Sequence, residues 1–105
     1  ALMPSNRRSV QRDARRIRSQ RLAAARTLGT HTDAEWRALV DRFGGRCVRC
    51  GRTPHAVEKD HIKPLYQGGS DAIDNLQPVC AWCNCSKGPE PFNWVAYRDE
   101  HGFDE

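Results

Sequence analysis

No run of this sequence is apolar for long enough to cross a bilayer, and the arginine-studded N-terminus lacks the apolar stretch of a secretory signal. Both absences point to a cytoplasmic chain with no membrane partner. There is no internal repeat and no low-complexity tract beyond a run of arginines. Apolar residues make up only 38% of the 105 residues, enough for one domain with a small core that would benefit from a staple. Acidic residues are scarcest at the start: residues 1–29 hold eight arginines against one acid, Asp13, a net +7. The whole chain is +4, so the remainder carries −3. A basic arm of this kind suits a polyanionic partner, because neutralising phosphates releases counterions.

What the sequence does have is cysteine. Four of its five cysteines form two C-x-x-C pairs, Cys47 with Cys50 and Cys80 with Cys83. In a reducing compartment such pairs read as metal ligands rather than disulfides. Two thiolates converge from each turn, and two turns close a tetrahedral Zn²⁺ shell with no open position for water. This metal is therefore expected to hold the fold and not to catalyse. Cys85 is a spare thiol, and His55 is a weaker alternative ligand.

Helical spacing of Val10, Ala14, Ile17, Ala24 and Leu28 predicts a basic amphipathic helix over 9–28, stopped by Gly29, with its narrow apolar stripe on the core or a partner. Residues 1–6 read as a loose end. Thr32 with Glu35 forms a capping box ahead of a second helix whose apolar face is Trp36, Leu39, Val40 and Phe43, with Trp36 in the core. Strand character runs over 56–62 and again over 76–79. A longer loop with turn chemistry at Gly68 to Asp71 lies between them, and a short helix over 80–87 follows. A last short helix ending near Gly102 is expected to cover the core and is assigned no chemistry.

Between and beside the cysteine pairs stand Asp60-His61, Asn75 and Asn84. A carboxylate, an amide oxygen and a neighbouring imidazole would suit a hard cation such as Mg²⁺. Taken singly, Asp71, Asp74 and Asn75 are ordinary turn residues, Asn84 an ordinary helix residue and His61 an ordinary structural histidine. Composition and spacing leave an active site and a purely structural loop both open.

The ordered string Asp60-His61-Ile62-Lys63-Pro64-Leu65, Gly68-Gly69-Ser70-Asp71, Asn75-Leu76-Gln77-Pro78-Val79-Cys80, Cys83-Asn84 and Lys87-Gly88 resembles the HNH endonuclease family. The resemblance implies a small α+β fold, with a ββα-metal core over 47–88 stapled by a four-cysteine zinc site. Flanking helices include the basic one, which gives an arm over 1–29 and a nuclease domain over 30–105. By position, His61 is then the general base and Asn75 the residue that holds the loop and orients it. Asp60 and Asn84 are ligands of a catalytic Mg²⁺ or Mn²⁺. Adjacent residues of a regular strand point to opposite faces, so Asp60 and His61 share a site only where the strand bends or ends.

The activity so implied is metal-dependent hydrolysis of DNA phosphodiester bonds. One strand is nicked per site, with little sequence specificity, leaving a 5′-phosphate and a 3′-hydroxyl. Because the imidazole must be neutral, activity should fall in acid. Arg7, Arg8, Arg12, Arg15, Arg16 and Arg18, with Lys87, are the expected DNA contacts. Compatible partners beyond DNA are a second copy of the chain, through the first helix, or a larger phage, restriction or mobile-element assembly. Two readings from other classes remain: a non-catalytic zinc-finger-like DNA-binding module, which would not need Asp60, His61 or Asn84, and an adaptor presenting the basic helix to an acidic protein.

Overall fold

A 25-residue helix, α1 (Pro4–Leu28), opens the chain in the computed structural model, which describes residues 4–86, 88 and 90–103, with side chains of α1 from Ala14 onward. The helix starts earlier than the apolar spacing predicts and takes in residues 4–6 of the expected loose end; residues 1–3 lie outside the described residues. Proline suits a first helical turn, where its missing N–H has no partner to lose. Ile17 and Leu28 of the apolar stripe are exposed and do not pack on the core, the first of the two surfaces expected for it. Among the described side chains of α1, the last turns are buried, at Ala25 fully and at Leu22 in part.

Helix α2 (Asp33–Arg42) has the expected capping box: Thr32 Oγ1 accepts from the Glu35 N–H at 3.1 Å, and the Glu35 carboxylate accepts from the Thr32 N–H at 3.0 Å. Gly44 and Gly45 end the helix at φ 64° and 74°, a left-handed path that side chains disfavour. Leu39 and Phe43 are buried on the inner face, while Trp36 packs half-buried at the edge of the core.

Strands β1 (Glu58–His61) and β2 (Leu76–Val79) form an antiparallel pair in which Glu58 faces Val79, Lys59 faces Pro78, Asp60 faces Gln77 and His61 faces Leu76. Pro78 donates nothing to the ladder, but its carbonyl accepts from the Val48 N–H at 3.0 Å, which fixes the first cysteine turn to the sheet. Helix α3 (Ala81–Ser86) follows β2 directly and packs on β1. The result is a ββα unit. Its core is Leu39, Phe43, Cys47, Val48, Leu76, Val79 and Cys83, and full burial of each large apolar side chain contributes about 1.5–3 kcal/mol.

Helix α4 (Trp94–His101) is capped by Asn93, whose Oδ1 accepts from the Ala96 N–H at 2.9 Å. Trp94 and Val95 pack against the core as expected. Arg98 donates to the carbonyls of Val48 at 2.6 Å and Arg49 at 2.7 Å, so α4 holds the first cysteine turn from outside. An ion pair between Arg42 and Asp99 ties α4 to α2. Among the described residues no helix is long and apolar enough to cross a membrane.

Candidate metal centre and candidate active site

The thiols of Cys47, Cys50, Cys80 and Cys83 all lie within 4.8 Å of one another, with Cys50 and Cys80 Sγ atoms 4.0 Å apart. A Zn–S bond of about 2.3 Å in a tetrahedron demands sulfurs about 3.8 Å apart, so the four need only a small contraction. The turns are built for this: the Gly51 N–H donates to the Cys47 carbonyl at 2.8 Å, with Gly51 at φ 79°, and the Cys83 N–H points at Cys80 Sγ at 3.4 Å.

The thiols pull against one another. Burial raises the Cys47 pKa, but hydrogen bonds from the backbones of Cys50, Cys80 and Arg49 and from the Cys50 thiol outweigh it and lower the pKa to about 7. Burial pushes Cys50 and Cys83 up, and the neighbouring thiols drive Cys83 further. A divalent cation among them would let all four ionise together. Neither exposed His55 nor exposed Cys85 belongs to the cluster, and Cys85 is a spare thiol as expected.

The second locus lies at the end of β1. Glu58 and Asp60 share one strand face, Lys59 and His61 the other. The strand stops at His61, and a cleft of about 190 Å³ over this end is lined by both Asp60 and His61, together with Arg49, Tyr66, Phe92 and Trp94 among others. The ending of the strand thus resolves the opposition of faces. Phe92 and Trp94 bring the C-terminal segment into the cleft wall, whereas residue pattern assigns that segment only to the core.

On the first face, buried Asp60 accepts from the Gln77 amide at 2.8 Å. Gln77 in turn donates to the Phe92 carbonyl and accepts from the Trp94 N–H at 2.9 Å. The Asn84 amide donates to Glu58 Oε1 at 2.8 Å, which places Asn84 on the face that carries Asp60. Asn84 does not itself line the cleft. The carboxylate of Asp60 and the amide oxygen of Asn84 are both hard donors. Among the described residues only the four cysteines form a converging cluster of three or more His, Cys, Asp or Glu side chains.

On the second face, His61 Nε2 is 2.9 Å from Asp71 Oδ1, a carboxylate with 8% side-chain exposure. Its other ring nitrogen makes no hydrogen bond among the described residues. Asp71, read from the sequence as a turn residue, is therefore a direct partner of His61. Nothing in local spacing could reveal this, because the contact spans ten residues of irregular loop. Asn75 staples that loop: its Oδ1 accepts from the Lys63 N–H at 2.8 Å, and its Nδ2 donates to the carbonyls of Ser70 at 2.7 Å and Lys63 at 3.1 Å. Glu58, Gln77 and Arg49 also escape a reading by residue pattern, and of these only Glu58 leaves a signal, two residues before Asp60 on a strand.

Arg15, Arg16 and Arg18 are exposed along α1. The side chains of Arg7, Arg8 and Arg12, and all of Lys87, lie outside the described residues.

The four-cysteine ββα unit is one class of metal-stapled fold, and comparison places it more narrowly. Residues 47–90 match the model of the HNH endonuclease family. They form an HNH-type nuclease domain with a cysteine cluster capable of binding a structural metal ion. A CRISPR-associated endonuclease Cas9 of Corynebacterium diphtheriae is 43% identical over 61 residues, which cover 54% of this chain and 6% of that protein. The chain thus spans a small fraction of that relative's length.

Proposed function

We propose that the chain is a metal-dependent endonuclease that hydrolyses DNA phosphodiester bonds, nicking one strand per active site and leaving a 5′-phosphate and a 3′-hydroxyl. The observation that carries this reading is the end of β1, where Asp60 and His61 line one cleft and, among the described residues, His61 is hydrogen-bonded through Nε2 alone.

A proton on Nε2, donated to Asp71, leaves Nδ1 as an unprotonated acceptor for a water proton. As Nδ1 takes that proton, the water oxygen bonds to phosphorus, the bond from phosphorus to the 3′ oxygen breaks, and that oxygen takes a proton from solvent water to become the 3′-hydroxyl. Arg49, on the cleft wall, supplies positive charge beside the scissile phosphate, and Lys87 serves a neighbouring one. Asp60 and the amide oxygen of Asn84 would hold Mg²⁺ or Mn²⁺, which when bound would supply charge stabilisation to the phosphate and the departing oxygen. Asn75 keeps the loop closed so that His61 and Asp71 stay in register. The zinc in the four cysteines has no open position and takes no part in the chemistry.

Arginines of the arm over 1–29 deliver the duplex to the domain over 30–105 by contacts to phosphate, which carry affinity and little sequence information. The test is nicking of supercoiled plasmid by zinc-loaded wild type and His61→Ala with Mg²⁺, Mn²⁺ or EDTA. Metal-dependent nicking that falls by about 10²- to 10⁴-fold in a folded His61→Ala supports the reading. Plasmid bound but uncut under every ion would instead make the chain a DNA-binding module.

A further inference from the structure

The surroundings of Asp71 reach beyond the HNH-type stretch. Its backbone N–H points at the carbonyls of Gly29 at 3.1 Å and Ala25 at 3.3 Å, the end of α1. Its backbone carbonyl accepts from His31 Nδ1 at 2.7 Å, in the link between α1 and α2. On the carboxylate, Oδ2 lies 3.7 Å from Arg26 Nε and 3.6 Å from His31 Nδ1, while Oδ1 takes His61.

The protons can be assigned. Lys59 Nζ, which can only donate, lies 2.9 Å from His31 Nε2, so that nitrogen accepts and the His31 proton sits on Nδ1, where it is donated to the Asp71 carbonyl. Lys59 shares its strand face with His61, so β1 contributes two residues to the network. The junction also fits closely: a Cβ on Gly29, at φ 154°, would come within 3.0 Å of the Ala72 Cβ. A carboxylate removed from water this far persists as an ion only when paired and hydrogen-bonded, and here its partners come from α1, the α1–α2 link and β1.

We propose that Asp71 is the positioning residue for His61, fixing its proton on Nε2, and that Arg26, Gly29 and His31 of the α1–α2 junction are the clamp that holds Asp71 in place. This rests on the reading of His61 as the base. It adds that the base is set by chain lying before residue 47, so the arm's last turn belongs to the catalytic apparatus as well as to DNA binding. A rigid carboxylate partner fixes both the tautomer and the ring plane of an imidazole, and loss of such outer partners costs histidine sites about 10- to 100-fold in activity.

The experiment uses the full zinc-loaded chain. Imidazole ¹⁵N spectra report the His61 tautomer, and plasmid nicking at varied DNA concentration separates kcat from KM, for wild type, Asp71→Asn, Asp71→Glu and His31→Ala. The expected result is an Nε2-protonated His61 in wild type and a mixture of tautomers in Asp71→Asn. Its kcat should fall about 10- to 100-fold at unchanged KM, with partial rescue in Asp71→Glu and a smaller fall in His31→Ala. Should Asp71→Asn fail to fold, the wild-type spectrum and His31→Ala still decide the matter. An Nδ1-protonated His61 in wild type overturns the proposal. So does wild-type kcat in a folded Asp71→Asn, even though the nuclease reading then stands. A wild type that never nicks overturns both.

Discussion

The side chain of Asn75 pairs with both backbone polar groups of Lys63, accepting from its N–H at 2.8 Å and donating to its carbonyl at 3.1 Å. One amide therefore closes the loop between the strands on the segment that follows His61. Its third bond, to Ser70, reaches the residue before Asp71. Replacing Asn75 by alanine removes three hydrogen bonds at about 0.5–1.5 kcal/mol each. Urea unfolding of the zinc-loaded variant should show a loss of about 2–4 kcal/mol, and nicking should fall even where the fold persists.

Gly69 is the tightest point of the same loop. A Cβ there would meet the Lys63 carbonyl oxygen at 1.9 Å, well inside contact, and the obstacle is backbone that cannot swing aside. Gly69→Ala should open the loop and reduce activity at least as much as Asn75→Ala. Gly68→Ala, with nothing within 4 Å of its added carbon, should cost only the strain of its φ of 84°. Melting temperatures of the two variants check the order.

Metal analysis should find one zinc per chain. Cys47→Ser, Cys50→Ser, Cys80→Ser and Cys83→Ser should each lose zinc and cooperative unfolding, because a structural zinc contributes folding energy directly. Exposed Cys85 stands outside the cluster, so Cys85→Ser should keep both zinc content and stability. Loss of zinc in Cys85→Ser would show that Cys85 and not one of the other four is a ligand.

The oxygen donor at Asn84 makes a prediction about ion preference. In Asn84→His an imidazole replaces an amide oxygen, which should shift the activity optimum from Mg²⁺ toward ions that favour nitrogen ligands, such as Ni²⁺ or Co²⁺. Nicking rates across a panel of divalent ions measure this, and an unchanged ranking would remove Asn84 from the metal site.

The exposed arginines of α1 should act through phosphate alone. Substituting Arg15, Arg16 and Arg18 together by alanine should flatten the slope of log affinity against log salt by roughly 2 to 3, at about 0.9 for each phosphate left without its arginine. Nicking at saturating DNA should be little changed. A large fall in saturated rate with an unaltered slope would place these arginines in the chemistry instead.

Much of this is legible in the residues. The paired C-x-x-C turns point to a cysteine cluster, and Thr32 with Glu35 specifies a helix start, because both are local geometries set within four residues. Gly44-Gly45 and the run Leu76–Val79 are equally local. Strand character over 56–62 overshoots the paired residues Glu58–His61, since the residue types that favour a strand extend past the pairing that defines one. The stripe of α1 is less decisive for a related reason: periodicity marks a face but not what covers it, and Ile17 and Leu28 lie off the core.

The sequence alone determined the two cysteine pairs, the order of strand, loop, strand and helix, and the Asp60-His61 pair, because each depends on residue type and short spacing. Only the tertiary structure decided what His61 touches and what holds it. Asp71 meets His61 across a ten-residue connection, and Arg26, Gly29 and His31 meet Asp71 from a segment some forty residues earlier in the chain. Contacts between segments distant along the chain follow from how the elements pack, and no local pattern encodes them.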